Sequence, residues 1–324
     1  MRHVSLLLLA AAFAGCPGPS SHGTPVYESD PDANQVERRQ TNTEGDEDPT
    51  PRPPPRGAVQ RPWLYVVNNV EQKSYLFGTI HVGVALEEAL PGDHFGAMAE
   101  PRVIMVEVDP STVTPQNLVA GARLSRREDL ERMLPSMVWH DLTAELAGVM
   151  ASEGLKQMKP WFAMMMLTQE RVRSMHVGRP PQAMDLAIAT YAQEQGINLR
   201  PLESANDQIR ALNAIPDSEM VAIVTDMMEH AETANEDLRE MLQLYRAGNE
   251  ENMARLIFDE AEMERSPRMY SELFTRRNEA WMRALKQELD QGGAFVAVGL
   301  GHLLGPDGLI AKLRAQGYPI ERVE

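Results

Sequence analysis

Apolar residues follow two patterns along this chain. Trp63-Leu64-Tyr65-Val66-Val67 and Ser74-Tyr75-Leu76-Phe77 are short, β-favouring runs separated by turn-type residues 68–72, which predicts a hairpin. Val103-Ile104-Met105-Val106-Glu107-Val108 reads as a buried strand that stops at Asp109-Pro110. Residues 197–202, 294–298 and 318–323 read as further strands. In between, apolar residues recur at helical spacing over 118–133, 138–150, 160–175, 182–195, 217–245, 250–264 and 268–291, with shorter helices at 87–100 and 308–315. Pro160 suits a first helical turn and Gly196 a helix end. Strands at both ends of a helical stretch predict an α/β fold. The expected architecture is a central mixed β-sheet flanked by helices, with a large helical block between two strand-ending Gly-x-x-His units.

Those two units are the most informative feature. Gly78-Thr79-Ile80-His81 closes one apolar run, and Gly299-Leu300-Gly301-His302 closes another. Each histidine falls just past a strand end, where α/β sheets place ligands. Glu107 ends an apolar strand, where a charge needs a partner. Asp185 begins a predicted helix, and Glu203 follows a predicted strand. Two imidazoles with carboxylates form a mixed nitrogen and oxygen donor set for a divalent metal, with manganese, cobalt and zinc all acceptable. Glu107 is a candidate ligand or general base, and Asp185 and Glu203 are candidate ligands or groups behind them. The glycine before each histidine is expected to permit a tight turn and a close backbone approach. No His-Glu-x-x-His helix, Gly-x-Ser-x-Gly elbow or P-loop is present. His94, His140, His176 and His230 lack comparable settings. Of the 20 methionines, the runs Met164-Met165-Met166 and Met227-Met228 lie in helical apolar stretches and read as core.

The N-terminal part has a different character. Residues 4–14 are apolar but too short to span a bilayer as a helix. They lead into Phe13-Ala14-Gly15-Cys16, small residues before a cysteine, as at a bacterial lipoprotein cleavage site. Residues 1–16 are therefore expected to be a lipoprotein signal, with Cys16 acylated and anchoring the chain to the cell envelope. Residue 17 is proline rather than aspartate, so the inner-membrane retention signal is absent and the outer membrane is favoured. Residues 17–60, rich in proline, glycine, serine and charge, are expected to be a disordered tether. Residues 61–324, roughly 260 in all, suffice for one large domain. Cys16 is the single cysteine, and with it acylated no free thiol remains, which excludes a disulfide framework, a cysteine-based zinc site and a cysteine nucleophile. The net charge of −16 and the lack of a basic patch with aromatics exclude nucleic acid as an expected partner. No feature fixes an oligomeric state.

A series of separate motifs resembles the TraB/PrgY/GumN family, itself similar to the Tiki metalloproteases and to the erythromycin-esterase-like and ChaN-like proteins. The matches are Phe77 to His81, Val106-Glu107-Val108-Asp109, Lys159-Pro160-Trp161, Met184-Asp185 with Tyr191, Leu202-Glu203-Ser204, Arg277-Asn278 with Trp281, and Val298 to Leu309. They run in order across nearly the whole of residues 63–323. The resemblance implies a central-sheet α/β domain and metal-dependent hydrolysis of peptides or protein N-terminal segments. It adds Arg277, for an oxyanion or a substrate carboxylate, with Asn278 beside it. Sequestration of a peptide or pheromone without cleavage, and hydrolysis of a non-peptide ester, are the alternative readings.

Overall fold

The computed structural model describes residues 57–81, 83–176 and 181–324. Cys16, the signal segment and nearly all of the expected tether lie outside the described residues. Val59 is already buried in the core, and its N–H donates to the Glu88 carbonyl at 2.7 Å. Packing therefore begins slightly before residue 61.

Six strands form one mixed sheet: β1 (Leu64–Val67), β2 (Ser74–Thr79), β3 (Val103–Val106), β4 (Asn198–Pro201), β5 (Ala294–Gly299) and β6 (Ile320–Arg322), in the order β4-β3-β5-β2-β1-β6. Strands β4, β3, β5 and β2 are mutually parallel, and β1 and β6 add an antiparallel wing. All residues of β3 and β5 are buried, as expected of parallel strands covered on both faces. Alternation along β5 splits the core in two. Phe295 and Ala297 face the helical block, while Val296 and Val298 meet Trp281, Leu285, Leu289 and Leu313 on the opposite face.

The helical block is more broken than the periodicity suggests. The stretch 118–133 divides into Pro115–Gly121 and Leu130–Met133, and 217–245 divides at His230 into Asp217–Glu229 and Ala231–Ala247. The stretch 250–264 breaks into Glu250–Ile257 and Glu260–Arg265, where Asp259 caps the second helix by accepting from the Glu262 N–H. In place of one helix over 87–100 stand Leu86–Ala89 and the 3₁₀ segment Gly92–Met98. The long helix expected over 268–291 comprises Pro267–Tyr270, a π-helical turn Ser271–Thr275, and Arg276–Leu289. Apolar spacing continues through such breaks because the same face stays buried, so spacing alone does not reveal them. Pro160–Met175 matches its predicted limits and buries all three of its consecutive methionines.

Candidate active site

The parallel strands deliver the site from their C-terminal ends, as open α/β sheets do. β2 pairs directly with β5, with Gly78 opposite Val298 and Thr79 opposite Gly299. The two Gly-x-x-His units therefore leave neighbouring strands side by side. His81 follows β2 in a loop, whereas His302 sits in the short helix Leu300–Leu303. Glu107 is the first residue past β3, and Glu203 comes two residues after β4. The Glu203 N–H donates to the Glu107 carbonyl at 2.9 Å, extending the β3–β4 register into the site.

The glycines act through the space they leave rather than through a special turn. Neither Gly78 nor Gly299 has positive φ, and Gly299 sits at φ −51°, ψ 136°. A Cβ on Gly78 would come within 2.6 Å of the Leu300 side chain. A Cβ on Gly299 would lie 3.1 Å from Glu107 Oε1, 3.2 Å from His81 Nε2 and 3.7 Å from His302 Cδ2. Gly299 thus leaves a cradle where the two histidines and Glu107 converge.

Each imidazole is oriented from behind. His81 Nδ1–H donates to Asp185, which lies in the first turn of the Met184–Gln195 helix. Asn278 Nδ2 donates to the carbonyls of His302 and Asp307, which turns its Oδ1 toward His302 Nδ1 at 2.7 Å. His302 therefore carries its proton on Nδ1 and keeps the Nε2 lone pair. Nε2 of His81 is left facing the cradle, the arrangement typical of metal-bound histidines with a hydrogen-bonded second nitrogen, whereas Nε2 of His302 accepts from Arg277.

Arg277 occupies the centre of the charge network. It donates to Glu107 Oε2 at 2.5 Å, to Glu203 at 2.7–3.2 Å, to the Leu273 carbonyl at 3.2 Å and to His302 Nε2 at 3.0 Å. Its donors are taken up by the protein, which leaves it poorly placed for an oxyanion or substrate carboxylate in this arrangement. Trp281 lies under the guanidinium, 4.8 Å from ring centroid to Cζ, and its Nε1–H donates to Glu203 at 3.2 Å. The Gly299 N–H donates to Glu107 Oε1 at 2.7 Å.

These contacts separate the titrations of the two histidines. Burial opposes the charged form of His81, but Asp185 overrules it and its pKa is raised. Burial pushes His302 down to about 3 despite the nearby Glu107. Burial would raise Glu107, yet its interactions with His302, Arg277 and His81, with the Gly299 N–H, hold it well below the usual carboxylate range. Glu203 is raised, with burial outweighing Arg277.

The donor chemistry fits a divalent metal: two imidazoles, each oriented through Nδ1, and an ionised carboxylate converge on a cradle that a methyl group would fill. As the side chains stand, no three His, Cys, Asp or Glu residues among those described are grouped closely enough to hold an ion. Arg277 accounts for this, since it takes Glu107 Oε2 and faces His302 Nε2. Asp185 and Glu203 lie behind the cradle, bound to His81 and Arg277 respectively.

The chamber in front of these groups is small, about 30 Å³, and is also lined by Gln208, Leu212, Leu273 and Phe274. No local sequence pattern marks Gln208. Such a pattern does mark Phe274, because residues 274, 277, 278 and 281 share one helical face. A Cβ on Gly301 would come within 2.6 Å of the Phe274 ring, which lies 5.3 Å from the His302 ring between centroids.

Metalloprotease TIKI1 of Danio rerio is 25% identical to the chain, and the match covers 76% of this chain. The chain spans 60% of that relative's length. No solved structure matches. The TraB/PrgY/gumN family profile matches residues 63–322, nearly the whole folded region from β1 to the end of β6. By that match the chain belongs to the TraB/PrgY/gumN family.

Proposed function

We propose that the chain is a metal-dependent hydrolase that cleaves peptide bonds. The cradle at Gly299, where both imidazoles and Glu107 converge, carries this reading. Family membership and the likeness to a metalloprotease support the choice of peptide substrates. His81, His302 and Glu107 would hold manganese, cobalt or zinc. Such an ion acidifies a bound water and polarises a carbonyl. The chain's own residues prepare the site. Asp185 and Asn278 fix the imidazoles, and Arg277 with the Gly299 N–H keeps Glu107 ionised, so that Oε1 serves as ligand or proton acceptor.

The test is metal analysis of chelated and reloaded protein, with His81→Ala, His302→Ala and Glu107→Ala beside the wild type. A peptide library incubated with Mn²⁺, Co²⁺ or Zn²⁺ is then read by mass spectrometry. Failure of the reloaded wild type to retain any of these metals would sink the idea.

One observation favours a second reading. The Arg277–Glu107 pair, closed on itself at the centre of the site, suits a module that binds peptides without cutting them. Saturable binding without turnover would select it. For placement, the reading is that Cys16 anchors the domain in the envelope membrane through residues 17–60, on the strength of the sequence pattern alone.

A further inference from the structure

The inner chamber has room for a water or two but not for a peptide. Beside it lies an open groove of about 710 Å³, within the usual range of ligand pockets. Arg277 and Ala211 line both spaces, so the groove abuts the histidine chamber across one side chain and one helix position.

The groove runs between two helices. Ala205–Ala214 contributes Asp207, Arg210, Ala211 and Ala214, spaced i, i+3, i+4, i+7 on one face. Arg276–Leu289 contributes Arg276, Arg277, Ala280 and Trp281. Alanines on both walls let an extended backbone approach closely, and charges stand along the rims.

Matching the charges leaves one cation only loosely held. Arg210 pairs with Asp207. Arg277 pairs with Glu203 and Glu107. Arg268 Nη2 forms an ion pair with Glu272 Oε1 at 2.8 Å. Arg276 reaches that same oxygen only at 3.5 Å through Nε, and its side chain is 61% exposed. The planar guanidinium therefore has donors available for a carboxylate.

We propose that the groove between the Ala205–Ala214 and Arg276–Leu289 helices is the substrate groove, and that Arg276 anchors a carboxylate of the bound peptide. This rests on the hydrolase reading for the fate of the peptide, but the binding claim can be measured without it. Arg277, adjacent in sequence, is committed to the inner site. Its neighbour faces the ligand because consecutive helix positions point about 100° apart.

The experiment uses synthetic octapeptide libraries with free or amidated C-termini, each in Glu-containing and Gln-containing pools. Wild type, Arg276→Gln, Arg276→Lys and Ala280→Trp are compared. Cleavage with Mn²⁺, Co²⁺ or Zn²⁺ is read by mass spectrometry, and retention of the same peptides by equilibrium dialysis. The wild type should prefer carboxylate-bearing peptides. Arg276→Gln should raise KM for these about tenfold more than for neutral ones, and Arg276→Lys should restore part of the preference. Ala280→Trp, which fills the groove at an exposed position, should weaken retention of every pool. A preference confined to free C-termini assigns the terminal carboxylate, and one that follows Glu assigns a side chain. No carboxylate preference in the wild type, or the same preference in Arg276→Gln, overturns the proposal. If nothing is cleaved, the hydrolase reading fails and retention decides the groove. Loss in Arg276→Gln and Ala280→Trp supports it, and equal retention in all proteins overturns it.

Discussion

Arg277 Nη2 and Glu107 Oε2 lie 2.5 Å apart at the centre of the site, each with a side chain less than a tenth exposed. A buried pair of this kind is costly to break from one side, because the remaining charge is left without its partner. Arg277→Met should therefore destabilise the chelator-treated protein by about 3–5 kcal/mol in urea unfolding. Adding Glu107→Gln to that variant should recover part of the loss. Strictly additive losses in the double variant would show that the two residues are not coupled.

Gly299→Ala tests the cradle. Its backbone angles suit any residue, so the fold should tolerate the methyl group. The added Cβ would press on Glu107 Oε1 and His81 Nε2. Calorimetric titration with Mn²⁺, Co²⁺ or Zn²⁺ should show affinity at least about tenfold weaker, at a stability cost of about 1–3 kcal/mol. Unchanged metal affinity would place the ion elsewhere.

Acid stability follows from His302. Its pKa is lowered to about 3 in the folded chain, against an ordinary value of 6.5. Between those values the unfolded chain binds a proton that the folded chain does not, so stability falls as pH drops from 6.5 toward 3. The slope from this group approaches about 1.4 kcal/mol per pH unit. Glu107, whose pKa is also lowered, adds to the loss as pH falls below 4.5. His81 is raised, so its contribution is fully present below 6.5 and disappears only as pH rises through its folded pKa. Urea midpoints of chelator-treated protein from pH 7 to pH 4 should fall less steeply in His302→Asn than in the wild type.

For the proposed anchor, Cys16→Ser should move the protein from the membrane fraction to the soluble fraction. Retention on the membrane after a high-salt wash would rule out a lipid anchor at that residue. Because Val59 is buried, deletion of residues 17–56 should leave thermal unfolding of the domain unchanged, whereas deletion through residue 60 should lower its midpoint.

The strand-ending Gly-x-x-His units, the charged end of β3 and the sheet at both chain ends were legible because those signals are local. A period of two, a run of β-branched residues or a glutamate after four apolar positions needs no knowledge of distant chain. The Pro160–Met175 helix was legible for the same reason. Helix breaks at His230 and Asp259 and the π-turn Ser271–Thr275 were not, since the apolar face continues through them and tertiary packing selects the break.

The sequence by itself determined the fold class, the family and the set of candidate site residues. Only the tertiary structure decided how those residues divide the work. β2 and β5 lie 220 positions apart in register, Ser74 accepting from the Ala294 N–H, and their parallel pairing brings His81 and His302 to one cradle. It also ties Arg277 to Glu107 across 170 positions, so that Arg277 closes the inner site while Arg276 faces the groove. The physical reason is that a side chain's partners are set by which strands and helices pack together. Sequence spacing governs that only within a single helix or strand.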